Sequence, residues 1–207
     1  MLPTIRSFEA ADLEACYAIS LATGFEGRDA SHLYRDPMLM GHLYVAPYAL
    51  LEPALALVVE DRDGVAAFAV GTTDTVAWEE RLEEEWWPSL RTRYGDPADV
   101  PPAERTPDQR RAFMIHHPEK TPAAVTAQFP AHLHMNLLPR LQRRGVGSKL
   151  LDIWLESAAS AGAGDVHVGV NRANRGAVLF WASHRFRELP LSGELQSRTL
   201  WMGRVGG

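Results

Sequence analysis

One stretch constrains the chain more than any other: residues 131–155, AHLHMNLLPRLQRRGVGSKLLDIWL. Its first part, 132–138, is an extended run held between Pro130 and Pro139. From Ser148 onward, Leu150, Leu151, Trp154 and Leu155 recur at helical spacing and predict an amphipathic helix. Between the two lies Gln142-Arg143-Arg144-Gly145-Val146-Gly147. A strand that runs through a glycine-containing loop into a helix suits phosphate. The first helical N–H groups have no partner inside the helix, and the dipole favours negative charge there. Glycine lets the backbone approach a ligand without a Cβ in the way. Arg143 and Arg144 add positive charge. Two familiar nucleotide loops do not fit. No glycine lies where GxxxxGK[ST] needs one before Gly147, and Ser148-Lys149-Leu150 after Gly147 breaks GxGxxG.

The rest of the chain narrows the class. At 207 residues it is long enough to bury a real core and is read as one domain, 1–207. A composition 46% hydrophobic and 23% charged is that of a soluble globular protein. The net charge of −5 argues against a nucleic-acid partner. No apolar run approaches ~20 residues, so no membrane span is expected, and the N-terminus lacks a signal-peptide core. Cys16 is the only cysteine. It excludes an intramolecular disulfide, is expected in the core, and fits a cytoplasmic, reducing location. The eight histidines show no tight ligand spacing, so no metal is expected. The sequence does not fix an oligomeric state.

Strands are expected over 4–8, 55–60, 65–73, 131–138, 166–170, 187–189 and 196–203. Helices are expected over 9–22, 77–94, 108–117, 122–128 and 178–184, with a short one near 31–35 in a Gly- and Pro-rich stretch that carries Tyr34, Tyr44 and Tyr48. Asp61 to Gly64 is a hairpin turn, and strict alternation after it would bury Ala66, Phe68 and Val70. Trp86 and Trp87 read as core anchors at the end of an acidic helix.

Gln142-x-x-Gly145-x-Gly147 between a strand and a helix resembles the acyl-CoA pyrophosphate loop of the GNAT acetyltransferase superfamily. A second signal follows the fifth strand, where Asn174-x-x-Ala177 leads to Phe180-Trp181 and Arg185-Phe186. The resemblance implies the α/β GNAT fold: a mixed, twisted sheet whose fourth and fifth strands run parallel and splay apart, with helices on both faces. The segments FEGRDASHLYRDP, LYVAPY, LVVEDRDGVAAFAVGTTDT and QFPAHLHMN are further similar to the acetyltransferase-like C-terminal domains of O-GlcNAcases and their stand-alone bacterial relatives. Two positions depart from the superfamily. Trp181 stands where a tyrosine commonly serves as proton donor, and Arg185 replaces the usual glycine before Phe186, so a different turn is expected. Asn136 stands where the animal domain has an aspartate, and an amide cannot act as a base.

The resemblance implies acetyl-CoA as donor and an amine, on a small molecule or a peptide, as acceptor. The backbone of Arg143, Arg144, Gly145, Val146, Gly147 and Ser148, with Gln142, would hold the pyrophosphate. Leu137 and Leu138 would pair with the pantetheine arm like an added strand, and Asn174, Phe180 and Trp181 would line its other side. His134 is one candidate base, expected to titrate near ~6.5; Asp74 is another, although it could instead cap the helix after it. Arg28 and Asp29 would read the acceptor or pair with each other. The alternative is an acetyl-CoA-binding module that serves as a sensor without efficient transfer.

Overall fold

The computed structural model describes residues 2–191 and 198–206. One seven-stranded sheet runs in the order β1-β2-β3-β4-β5-β7-β6. Its strands are β1 (Thr4–Ser7), β2 (Leu57–Asp61), β3 (Gly64–Thr72), β4 (Ala131–Leu137), β5 (Val166–Asn171), β6 (Arg187–Glu188) and β7 (Thr199–Arg204). Gln196 and Ser197 of the expected last strand lie outside the described residues. Every pairing is antiparallel except β4 with β5. That crossover is made by helix α8 (Val146–Ser160), as parallel neighbours require.

Strict alternation fails on β3. A register shift opposite Val59 and Glu60 leaves Ala66 as an extra residue, a β-bulge. Ala66 and Ala67 therefore both face the core under α8, together with Ala69. Phe68 and Val70 face the opposite layer. The strand is buried on both faces because helices cover both.

On the first face α8 lays Leu150, Leu151 and Trp154 on the sheet, and the Trp154 indole N–H donates to the Leu55 carbonyl at 2.9 Å. On the second face lie α1 (Leu13–Ala22), α2 (Leu39–Tyr44), α3 (Ala46–Leu51), α4 (Thr75–Arg81), α5 (Trp87–Arg93) and α6 (Pro107–His116). Two of these differ from expectation. Residues 31–35 form turns rather than a helix, and the second short helix or turn expected after them is a pair of helices, α2 and α3. The single acidic helix is α4 and α5 joined by a π-helical turn, Leu82–Trp86, just before Pro88. A proline cannot donate into the helix, and the wider turn absorbs the misfit. Trp87 is buried and Trp86 partly so, as core anchors should be. Cys16 is sealed in this layer, where burial pushes its thiol up to about 12. The short α7 (Ala123–Thr126) precedes β4, and α9 (Arg175–Ser183) follows β5. No helix among the described residues is long and apolar enough to cross a membrane.

The turn after α9 corrects one expectation. Arg185 does not change it; the arginine adopts the left-handed conformation itself, at φ 68°. Phe186 N–H donates to the Trp181 carbonyl and Arg185 N–H to the Ala182 carbonyl, the paired bonds of a Schellman cap. An L-residue with a side chain is strained there, so Arg185→Gly should stabilise the fold by about 1 kcal/mol. A denaturation midpoint that falls, rather than rises, on this substitution would contradict the strain.

Candidate functional site

The parallel pair β4–β5 is joined for a very short distance. Only Ala131 with Val166 and His132 with His167 are in register, after which the strands part. β5 continues fully paired to β7 on its other side, from Val166 to Asn171. Beyond His132, then, the β5-facing backbone groups of β4 open into a gap. The amide of Leu138 is not among them, because it donates to the Ala66 carbonyl at 2.9 Å. Alternation along an antiparallel ladder therefore turns the polar groups of Met135 and Leu137 toward the gap, past Leu133, the last residue to reach β5. Gln142 already takes the Leu137 carbonyl, through its side-chain amide at 2.9 Å. Of the two residues expected to pair with an extended ligand, Leu137 faces the gap and Leu138 does not. Met135 joins it unforeseen.

At the end of the gap stands the N-terminus of α8. Gly145 is its N-cap, at φ 75°, and no side chain caps the helix, so the amides of Val146, Gly147 and Ser148 point outward. A Cβ at Gly145 would meet nothing within 4 Å, which leaves room for a bulky anion beside it. Gly147 is small for another reason: a Cβ there would come 3.3 Å from the Phe180 ring. Arg143 and Arg144 are exposed beside the loop, and Arg143 also takes a left-handed conformation, at φ 58°. Phe180 stacks on His184, with ring centroids 4.3 Å apart. His184 was missed in the sequence. Its Nδ1 donates to the Phe180 carbonyl at 2.7 Å, and its Nε2 bonds Ser148 Oγ at 2.8 Å.

Two other expected members take different positions. Asn174 lines the cleft, but its Oδ1 accepts from the Ala177 amide as the N-cap of α9. Trp181 is 7% exposed, packed edge-on between Phe180 and Phe186 in the core, so it forms no open wall.

A cleft of about 670 Å³ runs through the gap from the β5 side into the layer of α1, α2, α4 and α6. His132, His134 and Asn136 of β4 share its floor because alternate residues point one way. Asn136 donates to Thr23 Oγ1 at 2.6 Å and so ties β4 to the end of α1.

The two histidines belong to a chain of bonds whose proton positions can be assigned. Thr75 Oγ1 donates to the Pro130 carbonyl at 2.6 Å and therefore accepts from His132 Nδ1 at 2.7 Å. His132 Nε2 is left bare and accepts from the Tyr48 hydroxyl at 2.6 Å. The Tyr48 oxygen can then only accept from His134 Nε2, at 3.2 Å. His134 Nδ1 is the one ring nitrogen of the pair left unprotonated and without a partner. It is not among the sealed, unsatisfied polar atoms of the described residues, so it opens on the cleft.

His134 does not titrate where expected. Burial, with His167 adding to it, pushes its imidazole down to about 4. Asp74 is the exposed N-cap of α4, its Oδ1 accepting from Val76 and Ala77 at 3.0 and 3.1 Å, and it does not line the cleft. Arg28 and Asp29 are also exposed, outside the lining, and do not pair with each other. Arg28 meets Glu26 at 3.4 Å, and Asp29 holds the amide and hydroxyl of Ser31, which keep its carboxyl low. Tyr48 and Arg111 line the cleft and Thr75 bonds His132 behind it; none of the three was singled out from sequence. Among the described residues no group of three or more ligating side chains could hold a metal ion.

A mixed sheet whose parallel strands part above an uncapped, glycine-led helix defines the acyl-CoA type of fold. No family model matches the chain. The crystal structure of SsHAT is 33% identical over 98% of both chains, with a TM-score of 0.89. PaiA N-acetyltransferase of Thermoplasma acidophilum, in complex with coenzyme A, shares the fold at 14% identity and a TM-score of 0.57 over 99% of both chains. Protein O-GlcNAcase of Rattus norvegicus is 23% identical over 130 residues, 62% of this chain and 14% of that relative. The chain thus corresponds to a small part of the length of that curated relative. The chain belongs to the GNAT superfamily of acetyltransferases.

The buried histidines set an acid limit on the fold. Burial holds His42, with Arg93 adding to the effect, and His167 at about 4. Burial and the neighbouring His134 and His167 hold His132 well below its ordinary range. An unfolded chain binds these protons near ~6.5 and the native state does not, so the unfolded form gains protons as pH falls through that window. Stability should therefore be full above about pH 6.5 and fall steeply toward pH 4. Melting temperatures unchanged between pH 7 and 5 would show these rings to be accessible in the native state.

Proposed function

We propose that the chain is an acetyl-CoA-dependent N-acetyltransferase whose acceptor amine enters the cleft over β4. The observation that carries this reading is that three parts meet on β4. Met135 and Leu137 form its open edge, the uncapped turn at Val146–Ser148 lies beside Leu137, which a Cβ at Gly147 would meet at 3.5 Å, and His134 of the same strand lines the cleft. The donor fits by its chemistry. A pyrophosphate needs outward N–H groups and space, which Gly145 and the helix start supply. An extended amide-bearing arm needs unpaired strand edge, which β4 supplies. When bound, acetyl-CoA contributes the thioester carbonyl that an amine attacks.

The residues of this chain then have separate tasks. His134 Nδ1 accepts the proton shed by the acceptor nitrogen. Tyr48, fixed through His132 and Thr75, holds His134 in the tautomer that leaves Nδ1 free. Met40, Leu43 and Leu82 line the cleft and keep water from a neutral amine, the form able to attack. A base held at about 4 stays unprotonated throughout the neutral range. A cytoplasmic location is part of the same reading, supported by a single cysteine kept sealed and unreactive.

A second reading has one observation behind it. With Trp181 packed in the core, no phenol stands at the position where the superfamily commonly has one, which favours a module that binds acetyl-CoA without turning it over. An amine-panel assay of free thiol release separates the two.

On the first reading, His134→Ala should lose on the order of 10²–10⁴ in rate while acetyl-CoA affinity holds. The wild-type rate should show no ionisation near ~6.5 and should rise only with deprotonation of the amine. A rate step at that pH that vanishes in His134→Ala would sink the assigned environment. Gly145→Val should abolish acetyl-CoA binding, since the φ of 75° strains any side chain and its Cβ enters the anion's space. Calorimetry on the folded variant decides the point, and normal affinity would overturn the loop assignment.

A further inference from the structure

The wall of the cleft nearest the base carries a cation with no counter-ion. Arg111 lies on α6, half-buried and lining the cleft. Its Nε donates to Tyr34 Oη at 3.0 Å, and Nη1 reaches Tyr44 Oη at 3.0 Å and Met114 Sδ at 3.2 Å. All three partners are neutral. Among the described residues no carboxylate comes within ion-pair distance of it, and Nη2 has no partner. The acidic groups along the same cleft are engaged elsewhere: Glu79 accepts the Thr121 amide at 2.8 Å, Glu83 pairs with Arg91 at 2.8 Å, and Glu26 pairs with Arg28. Glu119 is exposed to solvent.

A guanidinium cannot shed its proton to escape burial, so desolvating it without an anion is costly. Here two phenols and a thioether take the Nε and Nη1 hydrogens, fix the plane of the fork and leave Nη2 free. A carboxylate oxygen is the charged acceptor that the free Nη2 hydrogens fit. Tyr44 joins this cation to the proposed chemistry, since its ring lies 5.8 Å from that of His134 while its hydroxyl holds Arg111. An acceptor whose amine rests at His134 therefore has a cation one tyrosine away.

We infer that Arg111, positioned by Tyr34 and Tyr44, binds a carboxylate of the acceptor, so that the acceptor class is an amine that also bears a carboxylate. This rests on the acetyltransferase reading of the same cleft, and the two are separable by experiment.

The probes are the ω-amino acids from glycine to 6-aminohexanoate, each against its own carboxamide, which keeps the amine and removes the charge. Glutarate serves as an unreactive dicarboxylate for calorimetry. At least one acid should exceed its carboxamide in kcat/KM by roughly 10- to 100-fold, the worth of a charge-assisted bond. Arg111→Gln should bring that ratio close to one and abolish glutarate binding, and Arg111→Lys should restore part of both. Tyr44→Phe, a milder change, should lower the ratio if Arg111→Gln does not fold. Acids and carboxamides used equally by the wild type, or a preference that survives Arg111→Gln, overturns the proposal while leaving the acetyltransferase reading intact. Arg111-dependent glutarate binding with no transfer to any amine keeps the carboxylate site and removes the transfer. Neither binding nor transfer removes both.

Discussion

The competition between β4 and β7 for β5 shapes this molecule. β5 can satisfy its backbone on both sides only while β4 stays alongside, and it does so for two residue pairs. After that β7 holds β5 through Asn171, and β3 holds β4 through Leu137. Each strand keeps one complete ladder and gives up the other. An open edge inside a sheet leaves polar backbone unsatisfied, and water or a ligand must fill the place. The cleft, the exposed helix start and the histidine floor are arranged around that edge.

The floor shows how little freedom a short polar network leaves. One carbonyl, that of Pro130, can only accept, and that single fact propagates through Thr75, His132 and Tyr48 to fix which nitrogen of His134 is bare. Burial supplies the other half, keeping the rings neutral while the bonds keep them oriented. The burial that would ready the proposed base also makes the fold sensitive to acid.

What could be read from the sequence was local. The glycine loop, the crossover helix and the parting strands depend on a few dozen contiguous residues, and the structure has them as expected. So was the Asp74 cap, written into its own neighbourhood as an alternative to catalysis. The failures were long-range. Tyr48 meets His132 across 84 positions, and Arg111 meets Tyr34 across 77, separations at which no spacing rule operates. The bulge opposite Val59 and Glu60 undid a period-two reading of β3 because one extra residue reverses the faces. Arg185 misled in another way: a turn type was inferred from the residue, whereas the paired bonds at Trp181 and Ala182 impose the conformation on whatever residue stands there.

The two-pair seam has a mechanical meaning. Strands β1 to β4 form one plate and β5 to β7 another, joined edge to edge only at Ala131 and His132. Trp154, reaching from α8 to the Leu55 carbonyl, ties the crossover helix to the chain just before β2. The sheet is thus hinged edge to edge at one end only, while a single core under α8 spans both plates. A ligand bonded to the free edge of β4 would act as a splint across the hinge, stiffening the protein far from any residue it touches.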